Sequence, residues 1–134
     1  MTDTATYLGA NGWLLTMAGL RVLLDPWLSG PLVFPPGAWL LKGEMPELMP
    51  IPDQLDLLLL TQGLPDHAHP ETLQALSKQI PVVASAAAAR VVQRLGFEAI
   101  TELQPGDTTT IADLKIQATA GAAVPAVENG YLLD

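Results

Sequence analysis

Asp66, His67 and His69 stand within four residues of one another, and those two histidines are the only ones in the chain. A carboxylate beside imidazoles can hold a divalent cation or pass a proton, because both groups offer lone pairs near neutral pH. The three residues follow the apolar run Leu57–Leu60 after a break at Gly63 and Pro65, and they precede Pro70-Glu71-Thr72. A loop between the C-terminal end of a strand and the next helix is where α/β folds place ligands and metals. Spacing alone also admits plainer roles: Asp66 capping the next helix, or His67 hydrogen-bonded into the loop.

Composition narrows the chemistry. Fourteen acidic against six basic residues give a net charge of −8, which argues against nucleic acid and anionic membranes, since both call for clustered Lys and Arg. With no cysteine, any metal must be held by His, Asp or Glu. Ser29, Ser77 and Ser85 have no base at recognisable spacing, and no phosphate-binding glycine loop is present. Mean hydropathy is high at +0.31, yet no apolar run approaches the roughly 18–20 residues that span a bilayer. The N-terminus has no basic stretch ahead of an apolar one. The expectation is a soluble cytoplasmic protein of one domain, residues 1–134.

The elements that must position the cluster can be read in turn. Residues 4–8, 13–17 and 21–25 read as three short strands of an antiparallel meander, with Asn11-Gly12 as a hairpin turn. Asp25, before Pro26, reads as a carboxylate capping backbone amides. Residues 26–54 are dense in proline and read as a long irregular loop packed down by Trp27, Phe34 and Trp39. Residues 57–60 form the central strand. Pro70, Glu71, Leu73, Leu76 and Ile80 predict a helix over 70–79. Val82–Ala84 is a strand, and Ser85 caps a helix to Leu95 that ends at Gly96, with Phe97 folding back on Val92. Alternation of strand and helix predicts parallel strands. Strands follow at 100–103, 108–112, 114–118 and 130–133, and Glu128-Asn129-Gly130 reads as a turn.

Gln62-Gly63-Leu64-Pro65-Asp66-His67 resembles the His-x-His-x-Asp-His loop of the metallo-β-lactamase superfamily, with its second half intact and Gln and Leu at the first two histidine positions. Asn11-Gly12-Trp13-Leu14 and Asp25-Pro26-Trp27-Leu28 resemble its lactonase-like, ascorbate-6-phosphate-type branch. The resemblance implies an α/β fold: a mixed sheet with helices on one face, half of an αββα sandwich. Residues 1–134 would be the N-terminal half of that fold.

The same resemblance implies a metal-dependent hydrolase acting through metal-activated water, with Zn²⁺ as cofactor. Asp66 would be catalytic, and Asp66 and His67 would be metal ligands, as half of the family's second site. Ala120-Gly121-Ala122 would match a later ligand loop, with Ala122 at a histidine position. His69 lies outside the family pattern, but in an extended loop it could join Asp66 and His67 around one ion that keeps an open position. The alternative is a non-catalytic binding or assembly protein on the same scaffold. Strands that are apolar throughout need both sheet faces covered. The helices cover one, and the meander and the proline-rich loop are the candidates for the other. A face left open predicts a homo-oligomer, a protein partner, or completion by a C-terminal half.

Overall fold

Residues 4–17 fold back on themselves as β1 (Thr4–Gly9) and β2 (Gly12–Met17), with Tyr7 opposite Trp13. The computed structural model describes residues 2–34, 37, 39, 42–44, 49–123 and 127–134. The positive φ angles of the hairpin fall at Gly9 (100°) and Ala10 (48°), two residues earlier than Asn11-Gly12 predicts. A register shift between Tyr7 and Gly9 moves the turn and leaves Asn11 at its tip. Next, β3 (Leu20–Leu24) pairs antiparallel with β2.

The remaining strands of this sheet are parallel, as the alternation with helices predicts. They are β6 (Leu57–Leu60), β7 (Val82–Ala84) and β8 (Ile100–Glu102), in the order β1-β2-β3-β6-β7-β8. Between β3 and β6 lie the short pair β4 (Leu32–Val33) and β5 (Lys42–Gly43), which sequence reading missed. In that loop Trp27 is buried and donates its indole N–H to Gly30 O at 2.9 Å. Trp39 is 80% exposed and does not pack down as expected. Residues 35, 36, 38, 40, 41 and 45–48 of the loop lie outside the described residues.

Two helices pack on one face. The first, α1 (Pro70–Gln74), is much shorter than the predicted 70–79. Its end tightens into i→i+3 bonds, Ala75 N to Thr72 O and Leu76 N to Leu73 O. Lys78 Nζ then donates to the carbonyls of Leu73, Gln74 and Leu76, so these carbonyls are satisfied without a further helical turn. The second helix, α2 (Ala86–Arg94), starts at Ser85 and ends as predicted. Phe97 N bonds Val92 O, Gly96 N bonds Gln93 O, and Gly96 takes a φ of 92°. Leu23, Leu58, Leu60, Leu73, Ala88, Val92 and Phe97 share this core.

The opposite face is covered by elements that the sequence reading did not assign to it. Strands β9 (Thr108–Ile111), β10 (Leu114–Ala123) and β11 (Val127–Leu133) form an antiparallel sheet in the order β11-β10-β9. Leu114, Ile116 and Ala118 pack on Val22, Leu57, Leu59 and Val83. The centre of the sheet is therefore covered on both sides within one chain. At the β1–β2 end the Tyr7–Trp13 pair, tilted with ring centroids 5.1 Å apart, is open at 56% and 37% exposure, and Leu132 of β11 is open at 59%. Strand β11 also begins earlier than expected, so Glu128 and Asn129 lie in a strand and are buried. Among the described residues no helix is long and apolar enough to cross a membrane.

Candidate functional site

Parallel pairing of β3 with β6 brings the ends of both strands to one rim, Leu24 beside Leu59. Just past β3, Asp25 takes a left-handed φ of 42°, a costly conformation that Asp tolerates better than most residues. It is 3% exposed, and its carboxylate is fully used. Oδ1 accepts Thr61 N–H at 2.8 Å, and Oδ2 accepts both the Thr61 hydroxyl at 2.5 Å and Nδ1–H of His67 at 2.7 Å. The capping role predicted for Asp25 is present, and an imidazole is added to it.

The loop after β6 is shaped by its own turn and by three neighbours. His67 N and Ala68 N both bond Leu64 O. Gly63 lies so close to α2 that a Cβ there would sit 2.8 Å from Ala87 Cβ. Asn11, at the hairpin tip, directs Nδ2 at Asp66 O (3.1 Å), Asp66 Oδ2 (3.3 Å) and His67 Nε2 (3.3 Å). From the other sheet, Glu128 Oε2 accepts Gly63 N–H at 2.6 Å. Asn129 N bonds Thr61 O, and its side chain reaches Leu103 O. Tyr131 donates to Leu60 O at 2.8 Å, and burial pushes its phenol well above the ordinary value, so it stays a neutral donor.

Two oxygens in this region are buried without a partner, Asp66 Oδ1 and Glu128 Oε1. Burial works to lower the pKa of His67. The hydrogen bond and charge of Asp25, with the charges of Asp66 and Glu128, outweigh it and leave the imidazole above its usual value. With Nδ1–H given to Asp25, the neutral ring carries its lone pair on Nε2, 3.5 Å from Asp66 Oδ2.

The structure brings Asp66 and His67 together and sends His69 elsewhere. His69 is buried as the N-cap of α1, where Nδ1 accepts from Thr72, and Nε2–H donates to Pro31 O at 2.9 Å. Thr72 Oγ1 also accepts Leu28 N–H, so His69 ties the start of the proline-rich loop to the helix. The helix cap is thus His69 rather than Asp66, while His67 is indeed hydrogen-bonded into the rim. Ala122 lies in β10. Sequence reading did not single out Asn11, Thr61 or Glu128 as site residues. Asn11 carried a turn signal and a place in the Asn11-Gly12-Trp13-Leu14 resemblance, Glu128 carried only a turn signal, and Thr61 carried none.

Among the described residues no three His, Asp or Glu side chains are gathered closely enough to ligate one ion directly. A pair of metals therefore does not fit. One ion in an open position fits, because a buried carboxylate oxygen lacks a partner and the adjacent imidazole is anchored through its far nitrogen.

A six-stranded mixed sheet with helices on one face and a second sheet on the other defines a scaffold of the metallo-β-lactamase type, with a carboxylate–imidazole pair at its strand ends. The chain belongs to the beta-lactamase superfamily: the family described as "Beta-lactamase superfamily domain" matches residues 4–130. It is 36% identical over 78 residues to the cytidine monophosphate-N-acetylneuraminic acid hydroxylase of Danio rerio, covering 58% of this chain and 13% of that protein. The fold is similar to CmlA, a diiron β-hydroxylase from Streptomyces venezuelae, at a TM-score of 0.72 and 22% identity over 98% of this chain and 27% of that one. It is also similar to an isothiocyanate hydrolase from Delia radicum gut bacteria, at a TM-score of 0.74 and 22% identity over 97% of this chain and 57% of that one. The chain spans 13% to 57% of the length of these three proteins.

Proposed function

We propose that this chain is a metal-dependent hydrolase-like domain, equivalent to one half of the full superfamily fold, with a reduced site for a single divalent ion. The observation that carries this reading is the unpartnered, buried Asp66 Oδ1 beside a His67 ring whose Nδ1 is fixed on Asp25. Asp66 and His67 would hold the ion, and Zn²⁺ is the superfamily expectation. A bound ion supplies Lewis acidity and a more acidic water. The protein's own residues prepare the place. Asp25 fixes the ring and its tautomer, Thr61 holds Asp25 from two sides, and Asn11 restrains both Asp66 and the Nε2 edge of His67. The hydrolase name of a fold neighbour supports hydrolysis as the reaction class.

The test is zinc content after equilibrium dialysis of tag-free protein. One ion per chain, lost in Asp66→Asn and in His67→Ala, is expected of an open site. No zinc above the level of the Asp66→Asn/His67→Ala double variant overturns the reading. It would then favour a non-catalytic binding or assembly protein, for which Gln62 and Leu64 at the first two histidine positions already speak.

A further inference from the structure

Beside the rim loop lies a cavity of about 240 Å³, bounded by Pro31, Val33, Pro65, His69, Pro70 and Glu71. Pro65 directly precedes Asp66, and His69 follows His67 by two positions, so cavity and site share one loop. The volume falls below the roughly 300–1,000 Å³ that enclose a drug-sized ligand, and it suits one end of a substrate. Three of the six wall residues are prolines, which have no N–H to offer. Both ring nitrogens of His69 are already engaged, with Thr72 and with Pro31 O. The wall is therefore largely apolar and poor in donors. One charged group stands in it. Glu71, in the first turn of α1, lays its carboxylate against Gly30, where a Cβ would collide with both oxygens. Gly30 has a φ of 70°, so one glycine suits both the backbone there and the carboxylate above it. None of the chain's six Lys and Arg lines the cavity. Arg21 is held by Asp53, Lys42 by Glu44, and Lys78 by the carbonyls that end α1. The adjoining rim adds Asp25 and Asp66, so an anionic group would meet carboxylates and no cation.

We propose that this cavity is a subsite for an aliphatic ammonium group, with the alkyl stem against Pro31, Val33, Pro65 and Pro70 and the –NH₃⁺ on Glu71. Wall and charge together select such a ligand: the prolines and valine reward an apolar stem, and the carboxylate rewards a cation at its end. A net charge of −8 draws cations toward the protein in the same sense. That this ligand is one end of a hydrolase substrate rests on the reading above, whereas its binding to the cavity does not.

The probes are n-butylammonium and its neutral counterpart n-butanol, titrated into isotope-labelled protein in EDTA so that no metal takes part. Saturable NMR shifts of the Val33, His69 and Glu71 amides are expected with n-butylammonium, and weaker binding with n-butanol. Glu71→Gln should weaken n-butylammonium by about two- to fivefold, as for an exposed ion pair, and leave n-butanol unchanged. Equal binding of the two probes by wild type, or n-butylammonium binding unchanged in Glu71→Gln, overturns the inference. Shifts confined to Asp53, Asp56 and Leu76, around the groove at the opposite end of β6, also overturn it. Should Glu71→Gln fail to fold, wild type in low and high salt decides. Salt should weaken n-butylammonium and leave n-butanol no weaker, and an equal response overturns the inference. Zinc dialysis tests the single-ion reading separately. Ammonium bound without zinc supports the subsite on a binding protein, and zinc bound without ammonium removes the subsite alone.

Discussion

Replacing Asp25 by alanine removes the acceptor on which the site rim is built. The carboxylate takes three hydrogen bonds, from Thr61 N (2.8 Å), Thr61 Oγ1 (2.5 Å) and His67 Nδ1 (2.7 Å). Each bond to a charged group contributes about 1.5–3 kcal/mol, though the three are not additive. Removing one partner of a buried ion pair costs about 3–5 kcal/mol. The His67 side chain is 16% exposed, so water can satisfy part of its loss, which argues for the lower half of that range. The left-handed φ of 42° acts the other way, since alanine pays about 1–2 kcal/mol there. The net expectation for Asp25→Ala is a loss of about 3–5 kcal/mol. Urea unfolding should show a lower midpoint with an unchanged slope, and the melting temperature should fall by about 10–20 °C. Asp25→Asn tolerates the same backbone and keeps an acceptor for Thr61 N–H but lacks the charge, so it should lose about half as much. In both variants the His67 pKa, followed by NMR, should move down, because burial then acts with less opposition. A loss below about 1 kcal/mol in Asp25→Ala, with the His67 titration unmoved, would refute the network as described.

A raised His67 pKa makes stability depend on pH in a definite direction. The contribution is fully present below the unfolded-state histidine value and is lost as pH rises through the folded value, so wild type should weaken across that window while His67→Asn stays flat in parallel urea titrations. Restoring imidazoles at the two altered positions, Gln62→His with Leu64→His, should raise zinc affinity in calorimetry, and unchanged binding would mean that the loop backbone does not suit a metal. Gly63→Ala should destabilise the fold by about 1–3 kcal/mol, because its Cβ would meet Ala87 Cβ at 2.8 Å and Ala87 C at 2.9 Å. Thermal melts would show this, and a neutral result would place Gly63 further from α2.

Local chemistry wrote much of the fold into the chain. Leu57–Leu60, apolar at four consecutive positions and ended by a break at Gly63 and Pro65, reads as a short strand buried on both faces, and it is one. Ser85 and the Gly96-Phe97 pair fixed both ends of α2, since a cap and a left-handed glycine act over three to five residues. The loop carrying Asp66 and His67 was legible because motif and neighbours lie side by side in sequence. The end of α1 was not, because Lys78 folds back onto three carbonyls and stops a helix that the apolar spacing would continue. His69 looked like a partner of His67 at a spacing of two, but the Thr72 and Pro31 bonds turn it to the helix cap.

The rest of the site depends on distant pairings. Asp25 meets His67 across 42 positions because β3 lies parallel to β6, and no local signal encodes which strands will be neighbours. Glu128-Asn129-Gly130 has the composition of a turn, and in isolation it would be one. In the folded chain it runs along β10, with Gly130 opposite Thr119, and the sheet-on-sheet core buries its carboxylate against Gly63, 65 positions away. Residue type and near spacing decide a cap, a turn or a buried strand, because their energies are local. A carboxylate's partner is decided by which surfaces the core brings together, and that belongs to the whole chain.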